Sequence, residues 1–528
     1  MKKMKKVMAL LLSLVMVLAM SIATFADGSG STANTYSLTI TNTKEGHKYG
    51  VYQIFTGDIS GELNGEKVLT NVKYGSNYVP EGKAEGGAVE KAVLDAITNA
   101  DAFAQSLVTV GSAYKIVDST AGNTIIDGLP AGYYLVKDSN PVTGQDAATR
   151  FILQVVGNTS VAVKSDVPTV EKKVKENAKN VNPSGTDTDN RIPSYNVPAK
   201  YNDVADYNIG DKVPFQLIGT LPSNYDDYAT YKYIFHDTLS AGLTYNGDAK
   251  VYVLNGTTKT EITDENLFKV APGVNALTVT FNNLKAVTGV NKDSKIIVDY
   301  TATLNTAAEI GLPGNPNEVY LEFSNNPNNG GDGETGETPK DKVIVFTYEL
   351  DVTKIDASPN ETKLKDAEFK LHNKEGNWVI VDENNKVKEW TNNESQASTL
   401  KSGDDGLFKV IGLDDGVYYL KETKAPQHYN LLSNEIELTI TATTSNGQAW
   451  GGEPGDALTA LSIKVGDATK SVPGNTSTGV VSMNVKNSKG STLPTTGGMG
   501  TTIFYVVGSI LVLGAAILLI TKKRMSAR

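Results

Sequence analysis

Hydrophobic and polar positions along this 528-residue chain follow three regimes. Residues 7–23 form an apolar run behind Lys2, Lys3, Lys5 and Lys6. Residues 501–521 carry no charge and are followed by Lys522, Lys523 and Arg524. Between these ends, short segments alternate apolar and polar residues with period two, which predicts half-buried β-strands. Residues 36–41, 49–55, 133–136 and 151–156 read as strands of a first unit. Within it Val89, Ala92, Val93, Ala96 and Ile97 follow helical spacing, predicting one amphipathic helix lying on the sheet. Residues 167–347 read as strand and turn throughout, with a Gly/Asn/Pro-rich loop at 325–340. A third all-β unit opens with a strand at 350–355.

This pattern predicts a mostly β chain of three tandem immunoglobulin-like β-sandwiches, with a helix in the first. The expected boundaries are 1–26, 27–166, 167–347, 348–490 and 491–528. The sequence Gly128-Leu-Pro-Ala-Gly132-Tyr-Tyr-Leu-Val-Lys137-Asp138 returns as Gly412-Leu-Asp-Asp-Gly416-Val-Tyr-Tyr-Leu-Lys421-Glu422, so the first and third units share a domain type.

Composition narrows the function. At 40% hydrophobic and 20% charged, the chain is too apolar to be disordered. It contains no cysteine, which excludes disulfides, thiolate metal sites and cysteine nucleophiles. The formal net charge is −10. Setting aside the eight basic residues of the two ends leaves 41 against 59 acids, a net of −18. So acidic a surface repels phosphate backbones, and no nucleic-acid partner is expected.

The two ends read as addresses. Residues 1–26 have the basic, apolar and small-residue parts of a secretory signal peptide cut after Ala26. Residues 501–521 are long enough to cross a bilayer, and the basic residues beyond set the C-terminus on the cytoplasmic side. Just before this span stand Leu493, Pro494, Thr495, Thr496 and Gly497. This LPXTG pentapeptide, the apolar span and the basic tail together resemble the cell-wall sorting signal of Gram-positive surface proteins. The resemblance implies that a sortase cuts between Thr496 and Gly497 and passes the Thr496 acyl group to an amine. The mature chain is then 27–496, and the span is a temporary tether that meets the membrane only before sorting.

Strand phase exposes an anomaly. Side chains two apart share a face. Lys354 extends the apolar row of Leu350 and Val352, Glu422 that of Tyr418 and Leu420, and Asn487 that of Val481, Met483 and Val485. In the second unit Lys172 lies with Val170 and Val174, against Glu171, Lys173 and Lys175 outside. Asp237 follows Tyr233 and Phe235, and Asn325 follows Leu321 and Phe323. A lone buried lysine or carboxylate costs several kcal/mol unless paired or neutralised. Burial lowers the lysine pKa and raises that of the acid, giving a nucleophilic amine and a protonated carboxyl. The acid can then relay the amine's proton, and the product is a Lys–Asn amide with loss of ammonia.

The segment Tyr419-Leu420-Lys421-Glu422-Thr423-Lys424-Ala425-Pro426, with Val352-Thr353-Lys354 before it and Asn487 after, is similar to Cna B-type domains. These form intramolecular isopeptide bonds, which implies Lys354–Asn487 as the bonded pair and Glu422 as the acid. The second unit resembles the fimbrial isopeptide-forming domain through Pro168-Thr-Val-Glu-Lys172-Lys-Val174, His236-Asp237-Thr238-Leu239 and Phe323-Ser324-Asn325-Asn326. That implies a Lys172–Asn325 bond with Asp237 as the acid, Asn326 replacing Asn325 if the strand carries a bulge. In the first unit Asp138 takes the acid position but only Asn158 is on offer, so no bond is expected there.

Lys164 ends the first unit on the face opposite Val161 and Val163, a solvent-accessible amine eight residues before Lys172. It resembles the pilin-motif lysine of sortase-assembled shaft pilins, which receives the threonyl group of the next subunit. That motif often has Tyr-Pro before the lysine; Ala162-Val163 stand here, and Lys172 and Lys173 are neighbouring alternatives. The implied function is the structural subunit of a covalent pilus. The alternative is a monomeric wall-anchored adhesin built from the same domains. Implied partners are sortase, neighbouring pilin subunits and peptidoglycan at the pilus base, with a host surface ligand left open. The location is the extracellular cell wall or pilus surface.

His47, His236, His372 and His428 show no metal spacing, and phosphate-loop, dinucleotide and serine-hydrolase motifs are missing. No cofactor or metal is expected, and no enzyme activity beyond self-modification.

Overall fold

The computed structural model describes residues 34–63, 66–107, 110–177, 201–331, 333–444, 450–490 and 499–525. The expected signal segment 1–26 and the pentapeptide Leu493–Gly497 lie outside the described residues.

In the first unit Thr35–Thr43 pairs antiparallel with Gly122–Pro130 and parallel with Thr159–Ala162. The second sheet runs Glu66–Tyr74, Lys48–Leu63, Gly132–Asp138, Arg150–Val155, with Lys115–Asp118 also on the Lys48–Leu63 strand. Leu38, Ile40, Val51, Tyr134 and Val136 fill the space between the sheets. The other face of the larger sheet, bearing Tyr52, Ile54, Phe55 and Leu135, is covered by a helical layer. The predicted single helix is two short ones, Lys91–Ala96 and Ala100–Ser106. The break falls where Asn99 takes up extended backbone and its side chain caps the second helix, accepting from the Ala102 N–H.

The second unit is a sandwich of two seven-stranded sheets. One sheet places Val170–Lys175 beside Lys212–Gly219, which pairs in turn with Lys295–Leu304. The other places Tyr233–Leu239 beside Asn315–Ser324. The expected loop at 325–340 holds a short turn at Pro327–Asn329 and a short strand, Thr335–Glu337. Lys173, expected outside, is buried and pairs with Asp203. The outer face of its strand is covered there, and Asp203 also accepts from the backbone N–H of Trp450.

In the third unit a three-stranded sheet, Leu407–Leu413, Tyr348–Asp356, Val480–Asn487, packs on an eight-stranded sheet that contains Gly416–Lys424. Its first and last strands are parallel neighbours, Lys354 opposite Val485 and Asp356 opposite Asn487.

The two joints differ. Only Thr347 separates Asp341–Phe346 from Tyr348–Asp356, and the second and third units share one contiguous apolar cluster. Gly311 and Gly479 meet there with φ of 64° and 69°. A Cβ on Gly311 would stand 2.2 Å from the Gly479 nitrogen, so larger residues cannot replace either without moving the joint. The first joint is polar. The Arg150 guanidinium donates to the carbonyls of Pro327 and Asp227, and the Ala148 N–H donates to the Asn325 carbonyl at 2.7 Å.

At the C-terminus Met499–Met525 is one helix, and Ile503–Met525 is long and apolar enough to span a membrane. It runs past the expected end at 521 because Lys522, Lys523 and Arg524 are good helix formers.

Candidate cross-linking sites

The third unit brings its three predicted residues together. Parallel pairing of the first and last strands sets Lys354 and Asn487 two residues apart on one buried face. The Lys354 ammonium donates to Asn487 Oδ1 and lies 3.2 Å from Glu422 Oε1. The Asn487 amide nitrogen donates to both Glu422 oxygens, at 2.9 and 3.0 Å, and to the Asn430 carbonyl at 2.9 Å. Glu422 is further held by the backbone N–H of Leu432 at 2.8 Å. Lys354 Nζ stands 5.6 Å from the Phe369 ring centroid. Burial holds the Lys354 pKa below its ordinary value, against the opposing pull of Glu422.

The second unit brings together Lys172 and Asp237 but not Asn325. Lys172 Nζ is 2.6 Å from Asp237 Oδ2 and 2.9 Å from the Tyr300 hydroxyl. Burial pushes the lysine pKa down and the Asp237 carboxyl pKa up, their mutual attraction opposing both shifts. The amide beside them belongs to Asn317, which is 0% exposed and donates to the Tyr300 hydroxyl at 2.7 Å. Asn317 pairs with Leu239, and Asp237 with Val319 on the same pair of strands. Asn317 Oδ1 and Asp237 Oδ1 are both buried without a hydrogen-bond partner. Asn325 lies eight residues further along, roughly 25 Å away at strand rise. Its amide donates instead to the carbonyls of Val142 and Asp146, closing the first joint. Neighbouring Asn326 donates to Glu334 and caps the turn at Pro327–Asn329.

Strand phase places Asn317 and Asn325 on the same face, at opposite ends of one apolar row. Asn317 heads the same row, in Asn317-Glu-Val319-Tyr-Leu321-Glu-Phe323, and an amide at that end was an equal signal.

In the first unit Asp138 faces His47 rather than a lysine, 3.0 Å from its Nδ1, and accepts from the Thr149 N–H at 2.7 Å. The hydrogen bond to Asp138 raises the His47 pKa. Asn158 accepts from the Ser37 N–H at an exposed position. Lys164 has an exposed side chain on a pinned backbone: its N–H donates to Thr149 Oγ1 at 3.1 Å, and its carbonyl accepts from Asn224 at 2.9 Å.

Three segments match family models. Residues 209–327 match the Gram-positive pilin backbone subunit 2, Cna-B-like domain, residues 348–450 a prealbumin-like fold domain of the SpaA family, and residues 485–526 the LPXTG cell wall anchor motif. A pilin-backbone domain model thus matches within the second unit, and a cell-wall anchor motif matches at 485–526. The chain is 25% identical over 463 residues, 78% of each chain, to the trypsin-resistant surface T6 protein of Streptococcus pyogenes serotype M6. The solved T6 backbone pilin of that serotype matches its fold with TM-score 0.51 and 18% identity, over 88% of this chain and 100% of that one. The pilus 2b backbone protein of group B streptococcus is 26% identical over 55% of this chain and 97% of its own, with TM-score 0.41. The T6 protein is a surface protein and its solved form a backbone pilin; this chain shares that fold and carries a matching wall-anchor motif.

Proposed function

We propose that the chain is the shaft subunit of a covalent pilus, joined head to tail through Thr496 and Lys164 and stiffened by Lys354–Asn487 and Lys172–Asn317 amides. The observation that carries this reading is the pair of buried lysine–acid–amide sets in a chain without cysteine.

In the third unit the Lys354 ammonium gives a proton to Glu422, and the neutral amine attacks Asn487 Cγ. The Cγ–Nδ2 bond breaks, the nitrogen leaves as ammonia after taking a second amine proton through Glu422, and Glu422 ends protonated. Contact of the amine with the amide holds the reactants close to attack geometry. The product replaces a buried ammonium and carboxylate by an amide and a neutral acid, removing charges whose burial costs several kcal/mol each.

Along the shaft, an exposed Lys164 on a backbone pinned at the first joint suits an acceptor amine that must meet an enzyme and then bear tension. The sortase and neighbouring subunits are the partners this reading requires. The trypsin resistance in the T6 protein's name is the behaviour that internal amides confer, and the same is expected here.

The test is denaturing electrophoresis of wall extracts. A ladder of multimers that collapses to one band in Lys164→Ala supports the shaft. A single band in the unaltered protein identifies a monomeric adhesin, and a ladder that survives the substitution places the joint at another lysine.

A further inference from the structure

The two lysine–acid–amide sets differ in how the acid reaches the leaving nitrogen. In the third unit both Glu422 oxygens hold the Asn487 amide nitrogen directly. Asp237 is one methylene shorter and makes no hydrogen bond to Asn317; its partners are Lys172 and Tyr300. The Tyr300 hydroxyl fills the gap. It donates to Asp237 Oδ2 at 2.7 Å and accepts from Asn317 Nδ2 at 2.7 Å and from Lys172 Nζ at 2.9 Å, touching every group that must exchange a proton. Its ring is fixed by stacking on Phe215, 5.4 Å between centroids at 22°, and by an edge contact with Tyr245 at 5.7 Å.

We propose that Tyr300 is a catalytic residue of the second unit, its hydroxyl carrying the proton from Asp237 to the departing nitrogen of Asn317. The inference rests on the Lys172–Asn317 bond proposed above. Lys172 gives one proton to Asp237, and its amine attacks Asn317 Cγ. As the Cγ–Nδ2 bond breaks, Tyr300 gives its proton to the nitrogen and takes the proton held by Asp237. Asp237 then accepts the second proton of the new amide nitrogen. The amide keeps one hydrogen, ammonia leaves with three, Asp237 ends protonated and Tyr300 unchanged, so atoms and charge balance.

The experiment follows bond formation during refolding of chain 27–496, quantifying the branched Lys172–Asn317 peptide by mass spectrometry. Tyr300→Phe removes only the hydroxyl. A slowing on the order of 100-fold is expected, the usual contribution of a placed general acid. The Lys354–Asn487 peptide of the same molecules should form at the unaltered rate, showing that the third unit folds. Formation of the Lys172–Asn317 peptide at the unaltered rate in Tyr300→Phe overturns the role of Tyr300. Absence of that peptide from the unaltered chain overturns instead the bond on which it rests. Thermal midpoints separate catalysis from packing. In the Asn317→Ala chain, which cannot form the bond, Tyr300→Phe should lower the midpoint much less than in the Asn317 chain melted before its slowed bond has formed. An equal loss in both overturns the catalytic role.

Discussion

Replacing Glu422 by Gln removes the proton acceptor of the third unit while keeping nearly the same shape. The amine of Lys354 then has no carboxylate to take its proton, because among the described residues its only acidic neighbour is the Glu422 carboxylate at 3.2 Å. The Lys354–Asn487 bond should not form. The loop it would close spans 133 residues. If an amide cross-link restricts the unfolded chain as a disulfide does, losing it costs about 5 kcal/mol. For a unit of this size that lowers the melting midpoint on the order of 15 °C. Differential scanning calorimetry of chain 27–496 reads the midpoint, and intact mass on the same sample reads the chemistry. The unaltered chain should lack two ammonias and Glu422→Gln only one. A Glu422→Gln chain that still lacks two ammonias rules out Glu422 as the proton acceptor, and one that loses the bond yet melts unchanged rules out its stabilising effect.

The other expectations concern the second and first units. Asn317→Ala should restore one ammonia to the intact mass, whereas Asn325→Ala should leave the mass deficit intact and weaken the first joint, since that side chain holds Val142 and Asp146; the reverse outcome returns the bond to Asn325. His47 is buried against Asp138, with Asp146 Oδ2 4.0 Å from its Nε2 and Lys44 paired to Asp146. Its folded pKa lies above the ordinary value of 6.5. Its protonation therefore contributes stability that is complete below about pH 6.5 and is lost as pH rises through the folded pKa. The midpoint difference between the unaltered chain and His47→Gln should shrink from acid to alkaline pH, and a difference independent of pH contradicts this.

Much of this was legible in strand phase. Lys354, Glu422 and Asn487 each extend an apolar row; the parallel pairing of the first and last strands, which phase does not predict, sets Lys354 near Asn487, and Glu422 reaches them from the facing sheet. Lys172 and Asp237 were found by the same rule, because a charge on the buried phase needs a partner. Phase alone does not fix depth along a strand. Asn317 and Asn325 lie on one face, and only the register of Asn315–Ser324 against Tyr233–Leu239 places Asn317 near the acid. Tyr300 gave no signal, since a tyrosine in the row Ile296, Val298, Tyr300, Ala302 reads as ordinary core. Lys173 departs from expectation for a related reason: period two assigns it the outer face but cannot tell that this face is buried there and pairs Lys173 with Asp203. The helical spacing at 89–97 was real, yet the sequence pattern did not reveal the cap at Asn99 that divides the layer in two.

The most direct test of a covalent shaft is sequencing of branched peptides from protease-digested pili by tandem mass spectrometry. A covalent shaft of this kind should yield a peptide ending at Thr496 joined through its carbonyl to the Lys164 side chain of a second copy. Assembled multimers whose digests hold Thr496 joined to another lysine, or not joined to this chain at all, would contradict it.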